Sequence, residues 1–270
     1  MHEIFTPPFF RLYKSFLLPL LIFASANALD AQNSGRFNNW YFGSNAGVTF
    51  ASGAPVALTN GALLTTEGSA SISDVNGNLL FYTDGVTVWN RNHVAMTNGT
   101  GLHGHASSTQ SAIIVQKPGS TNLYYIFTAD ADAGVNGIKY SEVNMSLSAG
   151  LGAVTANKNI SLRTPSCEKL TAVRHCNNTD LWIVSHDWNS NSFRTWLVTS
   201  AGVNTTPIVS AAGVTATGVS QGSYGQLKAN PDGNKLLAAY YGLSTGGVNK
   251  MEAYDFNNST GVVSNALTLA

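Results

Sequence analysis

Histidine, aspartate and tryptophan are concentrated in one segment of this chain, "HCNNTDLWIVSHDWNSNSF", residues 175–193. Imidazole and carboxylate groups can ligate metals or exchange protons, and indole rings stack on sugars or peptides. Alternation along a strand places Trp182 and His186 on one face, and Asp187 on the other, so His186 and Asp187 cannot chelate one ion together. We therefore expect these aromatic side chains to supply bulk and hydrogen bonds between sheets. The candidate binding residues for a sugar or peptide are Trp182, His186, Trp188 and His175.

A serine-hydrolase pattern occurs at Gly218-Val-Ser220-Gln-Gly222, which matches G-x-S-x-G. A nucleophile elbow needs a strand before the serine, a helix after it and a later histidine. Pro231 follows within eleven residues, and the last histidine of the chain is His186. Ser220 is therefore predicted to be a loop residue, and no catalytic residue is predicted.

Metal-binding patterns in the chain are incomplete. The loop "GLHGHASST" carries His103 and His105 without a third ligand nearby in sequence. The stretch "DADAG" offers Asp130 and Asp132 as weak calcium candidates, because two carboxylates supply too few oxygen ligands on their own. No firm metal site and no cofactor is predicted.

Four segments that must position these side chains share one pattern: a short strand, a polar turn, and an apolar or aromatic strand. They are "SASISDVNGNLLFYTDG" (69–85), "SAIIVQKPGSTNLYYIFTAD" (111–130), "KLTAVRHCNNTDLWIVSHD" (169–187) and "GQLKANPDGNKLLAAYYG" (225–242). Each turn contains residues that favour tight reversal, such as Asn76-Gly77 and Asp232-Gly233. Third and fourth strands follow most of these units, and repeated four-stranded units are typical of β-propeller blades.

The fold class predicted from this repeat is all-β, a propeller of four-stranded antiparallel blades. About four blades plus two N-terminal strands, "NWYFG" and "GVTF", fall short of a complete ring, so the chain is expected to be the N-terminal part of a longer protein. The predicted blades cover 37–66 (partial), 67–97, 109–162, 167–210 and 223–270.

Charge and composition exclude several classes of protein. Fourteen basic residues balance fourteen acidic ones, which argues against a nucleic-acid groove or an anionic membrane surface. Residues 1–31 form a predicted secretory signal, in which Arg11 and Lys14 precede an apolar run and small residues. The remaining domain, 32–270, is expected to be exported and to have no membrane span. Cys167 and Cys176 lie too far apart along a strand to form a disulfide and are expected to be free.

Five segments resemble a known family. They are "NNWYFGSNAGVTFASGAPVAL", "LLFYTDGVTVWNRNH", "STQSAIIVQKPGSTNLYYIFT", "EKLTAVRHCNNTDLWIVSHDWNSNSF" and "QLKANPDGNKL". They are similar to the N-terminal propeller-like region of large exported proteins of Bacteroidetes-type bacteria, which are gliding-motility-associated or carry a type B sorting domain of the type IX secretion system. The resemblance spans nearly all of 37–270. It implies export across the outer membrane to the cell surface or the medium, with the secretion machinery as a partner through a C-terminal domain missing here. It implies no catalytic residues.

Two functions are compatible with these patterns. The first is a non-catalytic binding or structural module that presents loops to a surface protein or a glycan. The alternative is a lactonase-like or carbohydrate-active propeller enzyme with its active site in the central channel, since "EAYDFNNSTGVVSN" (252–265) is similar to such enzymes. The strands expected to line that channel offer mainly hydroxyl and amide groups and no converging set of carboxylates, which favours the first. These residues are Ser69, Ser71, Ser111, Thr171 and Gln226.

Overall fold

The computed structural model describes residues 34–243 and 248–269. Within these residues the chain is built from strands, with three 3₁₀ turns at Ser34–Phe37, Ser148–Gly150 and Ser220–Ser223. The all-β prediction is confirmed. No helix in this part of the chain is long and apolar enough to cross a membrane. The predicted signal peptide lies outside the described residues.

The N-terminal sheet has three antiparallel strands, one more than the sequence predicted. They are β1 (Asn39–Phe42), β2 (Ala46–Thr49) and β3 (Val56–Leu58), in that spatial order. Tyr41 is buried and stacks on Tyr82 of the next sheet with ring centroids 4.5 Å apart. Because side chains alternate along a strand, Trp40 and Phe42 point away from this contact, and both are exposed.

The second sheet contains nine strands and forms two successive antiparallel units. The first unit is β4 (Ala70–Ser73), β5 (Leu79–Thr83), β6 (Thr87–Asn90) and β7 (Ala95–Thr100). The second is β8 (Ala112–Gln116), β9 (Leu123–Ala129), β10 (Ile138–Asn144), β11 (Ala153–Val154) and β12 (Ile160–Arg163). A short parallel pairing of β7 with β11 joins the units, and β12 pairs with β10. The ends of the path, β4 and β8, also contact each other, so the sheet is nearly closed.

The third and fourth sheets complete the described chain. The third has β13 (Ser166–Arg174), β14 (Leu181–Asp187), β15 (Ser190–Thr199), β16 (Gly202–Val203) and β17 (Ile208–Ala216). The fourth has β18 (Leu227–Ala229), β19 (Lys235–Leu243), β20 (Val248–Asn257) and β21 (Val262–Thr268). The predicted turns, including Asn76-Gly77 and Asp232-Gly233, lie between paired antiparallel strands.

The core consists of apolar layers between successive sheets. On β14, Trp182 and Val184 pack toward the fourth sheet, whereas Ile183 packs toward the second, as strand alternation predicted. Each fully buried apolar side chain of this size contributes about 1.5–3 kcal/mol of transfer free energy. A strand sandwiched between two such layers is therefore fixed in register.

The first strand of each unit meets the others at the centre of the molecule. Strand β13 contacts both β8 and β18, and β8 contacts β4. The buried amide of Gln110 connects three of these strands. Its Oε1 accepts hydrogen bonds from the backbone N–H of Leu170 (3.1 Å) and of Leu227 (2.7 Å). The residues that precede β4, β8 and β18 are thereby brought to one end of the molecule.

Candidate functional site

An opening lies at the end of the molecule where the central strands begin. Its lining side chains are Glu67 before β4, Thr109 before β8, Tyr224 and Gln226 before β18, and Tyr241 on β19, together with the backbone of Gly225. We call it the carboxylate opening, because Glu67 lines it and because the carboxyl groups of Asp132 and Glu168 accept hydrogen bonds from two other lining residues, Tyr224 and Thr109.

Glu168 on β13 is fully buried and connects two of the surrounding loops. Its Oε2 accepts hydrogen bonds from the backbone N–H and the hydroxyl of Thr109, both at 2.7 Å. Its Oε1 accepts the backbone N–H of Asp132 at 2.9 Å. These three donors offset the desolvation of a buried carboxyl group. Glu168 therefore positions the two loops and is shielded from solvent itself.

Asp132 lies in an unfavourable backbone conformation in the loop after β9. Its φ is 56°, and that of the following Ala133 is 54°. Two consecutive non-glycine residues in the left-handed region cost free energy, and such strain concentrates at functional sites. Glu168 fixes the backbone of Asp132, and the hydroxyl of Tyr224 donates a 2.6 Å hydrogen bond to its Oδ1. The carboxylate of Asp132 is held at the opening and remains exposed.

Glu67 is an exposed carboxyl group at the rim of the same opening. Partial desolvation, followed by the negative charges of Glu168 and Asp132, raises its pKa above the ordinary value. A carboxyl group with a raised pKa keeps its proton at higher pH and can act as a general acid. The negative charge of Asp132 thus acts on the carboxyl group of Glu67, and both residues are exposed.

Two tyrosine rings form an aromatic platform beside these carboxylates. Tyr224 and Tyr241 are stacked, with centroids 6.2 Å apart and an interplanar angle of 14°. Tyr241 is 54% exposed although its β19 neighbour Tyr240 is buried. The hydrogen bond to Asp132, followed by partial burial, raises the pKa of Tyr224 to about 12. Tyr224 therefore stays protonated and donates to Asp132 throughout the neutral range.

The segment that carries Tyr224 is anchored by Lys169, a buried cation on β13. The Nζ of Lys169 donates to the carbonyl oxygens of Ser223 (3.1 Å) and Tyr224 (2.5 Å), and it lies 4.6 Å from the centroid of the Tyr240 ring. Burial lowers the pKa of this amine to about 8. Gly225 follows with φ 116°, and a Cβ there would collide with the carbonyl of Ala239, so only glycine fits this position.

The binding residues predicted from the sequence do not meet in one site. His175 lies in the turn before β14, and His186 lies at the far end of that strand. Trp182 is buried, and its Nε1 donates to the carbonyl of Asn258 at 2.9 Å. His186 is fully buried, and desolvation lowers its pKa to about 3. Trp188 is half-buried and packs against the core cluster between the third and fourth sheets.

The two weak calcium candidates have different surroundings. The carboxylate of Asp130 accepts the backbone N–H of Ala131 and of Asn136, so it closes its own loop. Asp132 belongs to the carboxylate opening. Among residues 34–243 and 248–269, no group of three or more His, Cys, Asp or Glu side chains is placed to hold a metal ion.

The remaining candidate residues have structural surroundings. Ser220 lies on the 3₁₀ turn Ser220–Ser223. Both cysteines are free thiols, Cys167 buried and Cys176 exposed. The hydroxyls of Ser69 and Ser71 bond the backbone of Tyr41, and that of Ser111 donates to the carbonyl of Asp84. Ser69 and Ser71 therefore join the first and second sheets, and Ser111 joins the two units of the second sheet.

From the sequence, no converging set of carboxylates was expected on the central strands. In the structure, Glu67 precedes β4, Glu168 lies on β13 and Asp132 follows β9, and the negative charges of Glu168 and Asp132 act on Glu67. One signal was available in the sequence: a polar stretch immediately precedes three central strands, in "TTEG", "SSTQ" and "GSYGQ". Glu168 and Tyr241, by contrast, lie within strands that read as core.

Comparison of the sequence with protein-family models gives no match, and comparison with curated proteins gives none. The solved structures that are similar to the chain include an arabinofuranosidase and a mutant of AofleA. An α-L-arabinofuranosidase from Podospora anserina in complex with cellotriose is 10% identical, with a TM-score of 0.37 over 87% of this chain and 68% of that one. A triple mutant of AofleA from Arthrobotrys oligospora is 10% identical, with a TM-score of 0.36 over 86% of this chain and 71% of that one.

The prediction that the chain is not an enzyme is corrected here, because one of these similar structures is that of a glycoside hydrolase. At 10% identity and TM-scores below 0.5, neither likeness carries an argument about mechanism. Function must be argued from the side chains of the carboxylate opening.

Proposed function

We propose that this chain is a carbohydrate-active domain of propeller-like architecture that cleaves a glycosidic bond at the carboxylate opening. One observation carries the proposal: two interacting, exposed carboxyl groups, Glu67 and Asp132, lie beside the stacked rings of Tyr224 and Tyr241. Paired carboxyl groups are the usual machinery of glycoside hydrolysis, and flat aromatic faces are the usual platform for sugar rings.

The chemistry follows from the different surroundings of the two carboxyl groups. Glu67, with its raised pKa, donates a proton to the leaving glycosidic oxygen. Asp132, hydrogen-bonded by Tyr224, accepts a proton from the water that attacks the anomeric carbon. The carbon–oxygen bond of the glycoside breaks as the new bond to water forms, so the products are a hemiacetal and an alcohol.

The other residues of the opening keep these groups in place. Glu168 holds the strained backbone of Asp132, and Lys169 holds the backbone of Tyr224. A large side chain stabilises a fold mainly through the contacts that it makes when it is buried, whereas Glu67, Asp132 and Tyr241 are all exposed. The exposure of these polar and aromatic groups, and the strained, rigidly supported loop that carries Asp132, favour a role in ligand chemistry.

The proposal is tested by screening the purified chain for release of reducing ends from a panel of neutral polysaccharides. Arabinoxylan, mixed-linkage β-glucan, arabinan and α-mannan cover the main backbone geometries. Asp132→Asn should reduce the rate on the responsive polymer at least a hundredfold, a drop of the size that loss of a general base produces. Asp232→Asn, in an exposed hairpin turn, is the matched control and should retain the wild-type rate. Hydrolysis that survives Asp132→Asn would contradict the proposal.

We further propose that the domain acts outside the cell. The charged, apolar and small-residue order of residues 1–31 supports export, as does the resemblance of 37–270 to exported, gliding-motility-associated proteins with type IX sorting domains. The meander pattern of the four sheets supports assigning them to successive propeller blades, with the nine-stranded sheet counted as two. N-terminal sequencing of protein from the culture medium should find cleavage after Ala28 or Ala31.

A further inference from the structure

A second opening is continuous with the carboxylate opening. It is a cleft of about 520 Å³ between the N-terminal sheet and the central strands β4, β8 and β18. Glu67, Thr109 and Gln226 line both spaces. The two therefore form one path across this end of the molecule, with Glu67 and Thr109 between the tyrosine platform and the cleft.

The far wall of this cleft is aromatic and exposed. Trp40 and Phe42 share one face of β1, with 51% and 42% of their surfaces accessible, and Phe37 lies beside them. An exposed tryptophan would ordinarily be mobile, but the Nε1 of Trp40 donates to the carbonyl of Phe37 at 2.7 Å, and its ring packs edge-on against Phe50 at 5.5 Å. The indole is thus fixed in orientation, lines the cleft and keeps about half of its surface accessible. A ring held in this way loses little conformational entropy when a ligand stacks on it.

The floor between the two aromatic sites mixes polar and apolar side chains and is close to neutral. Its hydroxyl and amide groups include Ser69 and Gln226, with Glu67 and Lys228 as single opposite charges, and apolar surface comes from Ala70, Ile113 and Ile114. A lining of this kind suits a sugar chain, whose rings present both hydroxyl groups and apolar faces and carry no strong net charge. A nucleic acid would find too little positive charge.

Building on the proposed function, we propose that the substrate is an extended oligosaccharide or polysaccharide chain, and that Trp40 and Phe42 form a distal subsite. One sugar stacks at Tyr241 beside the carboxyl groups, and sugars further along the same chain cross the floor of the cleft to reach Trp40. The domain then selects its substrate by chain length: a short saccharide occupies only the tyrosine side, and a longer one gains the indole contact.

The test compares oligosaccharides of two to six residues, prepared from the polysaccharide that the wild-type chain degrades in the screen above. Trp40→Ala should raise KM for the hexasaccharide by about twofold to tenfold, which is the range expected for the loss of an aromatic stacking contact. It should leave KM for the disaccharide and kcat for both unchanged. Trp40→Phe, which keeps a stacking face, should restore most of the hexasaccharide affinity. Val262→Ala, an exposed apolar residue of the fourth sheet, is the control.

The outcomes are separable. If the wild-type chain hydrolyses no saccharide, the proposed function fails, and the distal subsite, which rests on it, is overturned with it. If it hydrolyses di- and hexasaccharides and Trp40→Ala changes both equally or neither, the distal subsite is overturned while the proposed function stands. Thermal melting of each variant shows whether a lost effect reflects misfolding. Because Trp40 is half-exposed, we expect Trp40→Ala to remain folded.

Discussion

The hydroxyl of Tyr224 donates a 2.6 Å hydrogen bond to Oδ1 of Asp132, although 92 residues of sequence separate them. The two come from different sheets: Asp132 follows β9, and Tyr224 precedes β18. Lys169 fixes the backbone of Tyr224, and Glu168, the adjacent residue, fixes that of Asp132. One dipeptide of β13 therefore sets the geometry of this hydrogen bond from both sides.

Tyr224→Phe should impair catalysis while preserving the aromatic platform. A hydrogen bond to a charged acceptor contributes about 1.5–3 kcal/mol, so kcat/KM should fall about tenfold to a hundredfold. Tyr241→Phe removes a hydroxyl from the neighbouring stacked ring and should change kcat/KM less than about twofold. Steady-state kinetics of the two variants measures the contrast. Equal effects would mean that the Tyr224 hydroxyl has no specific role.

Glu67→Gln should lower activity and raise stability at neutral pH. Because the folded-state pKa of Glu67 is raised, the folded chain binds more protons there than the unfolded chain, and stability falls as pH rises through that pKa. Glutamine carries no charge, so the variant avoids the loss of stability that ionised Glu67 causes at pH 7. Its Tm should therefore exceed that of the wild type by about 1 °C at pH 7 and not at pH 3. Differential scanning calorimetry at the two pH values measures the difference. A lower Tm at pH 7 would contradict the like-charge arrangement.

Lys169→Met should destabilise the chain, and the wild type should gain stability relative to this variant at alkaline pH. Burial lowers the folded-state pKa of Lys169 to about 8. Between pH 8 and the ordinary pKa of lysine, the unfolded chain therefore binds more protons than the folded chain. The stability of the wild type rises with pH over that window. At pH 7 the substitution leaves the carbonyl groups of Ser223 and Tyr224 without their hydrogen-bond donor, which should cost about 3 kcal/mol of stability. Urea unfolding at pH 7 and pH 10 should show a wider gap at pH 10. Lys235→Met, in an exposed ion pair, should cost less than about 1 kcal/mol at both.

Asp187→Ala should destabilise the fold without a specific effect on the opening. The buried carboxylate of Asp187 accepts hydrogen bonds from Arg163 of β12 and Arg194 of β15, each at 2.9 Å, and so joins the second and third sheets. Removing the carboxylate should cost about 1–3 kcal/mol, because the side chains of Arg163 and Arg194 that lose their partner are 31% and 22% exposed and can be hydrated. Urea unfolding should show this loss, and kcat/KM of the fraction that remains folded should match the wild type. A change in kcat/KM would place Asp187 in the catalytic arrangement.

Local features of the fold could be predicted because they depend on neighbouring residues. The two faces of β14 followed from alternation, and the tight turns followed from residues such as Asn76-Gly77. The third strand of the N-terminal sheet, Val56–Leu58, was missed because it is only three residues long and largely exposed, so no hydrophobic pattern marks it.

The candidate site could not be predicted, because it depends on how the sheets are arranged. Asp132 was considered only as a calcium ligand, since its partner Tyr224 lies on a distant segment. Glu168 reads as one polar residue in a strand, and the donors that explain its burial come from Thr109 and from the loop after β9. The histidine- and tryptophan-rich segment was predicted to supply binding residues because of its composition, yet Trp182 and His186 are buried between sheets.

The role of Glu67 as general acid is tested by comparing wild-type and Glu67→Gln rates on two substrates that share one sugar and differ in leaving group. The dinitrophenolate of a 2,4-dinitrophenyl glycoside is a leaving group that departs without protonation. The leaving sugar of the natural oligosaccharide must be protonated by a general acid. If Glu67 is that acid, the variant should lose at least a hundredfold on the oligosaccharide and less than about tenfold on the dinitrophenyl glycoside. Equal losses on both substrates, or no loss on either, would contradict the assignment of Glu67 and with it the proposed mechanism.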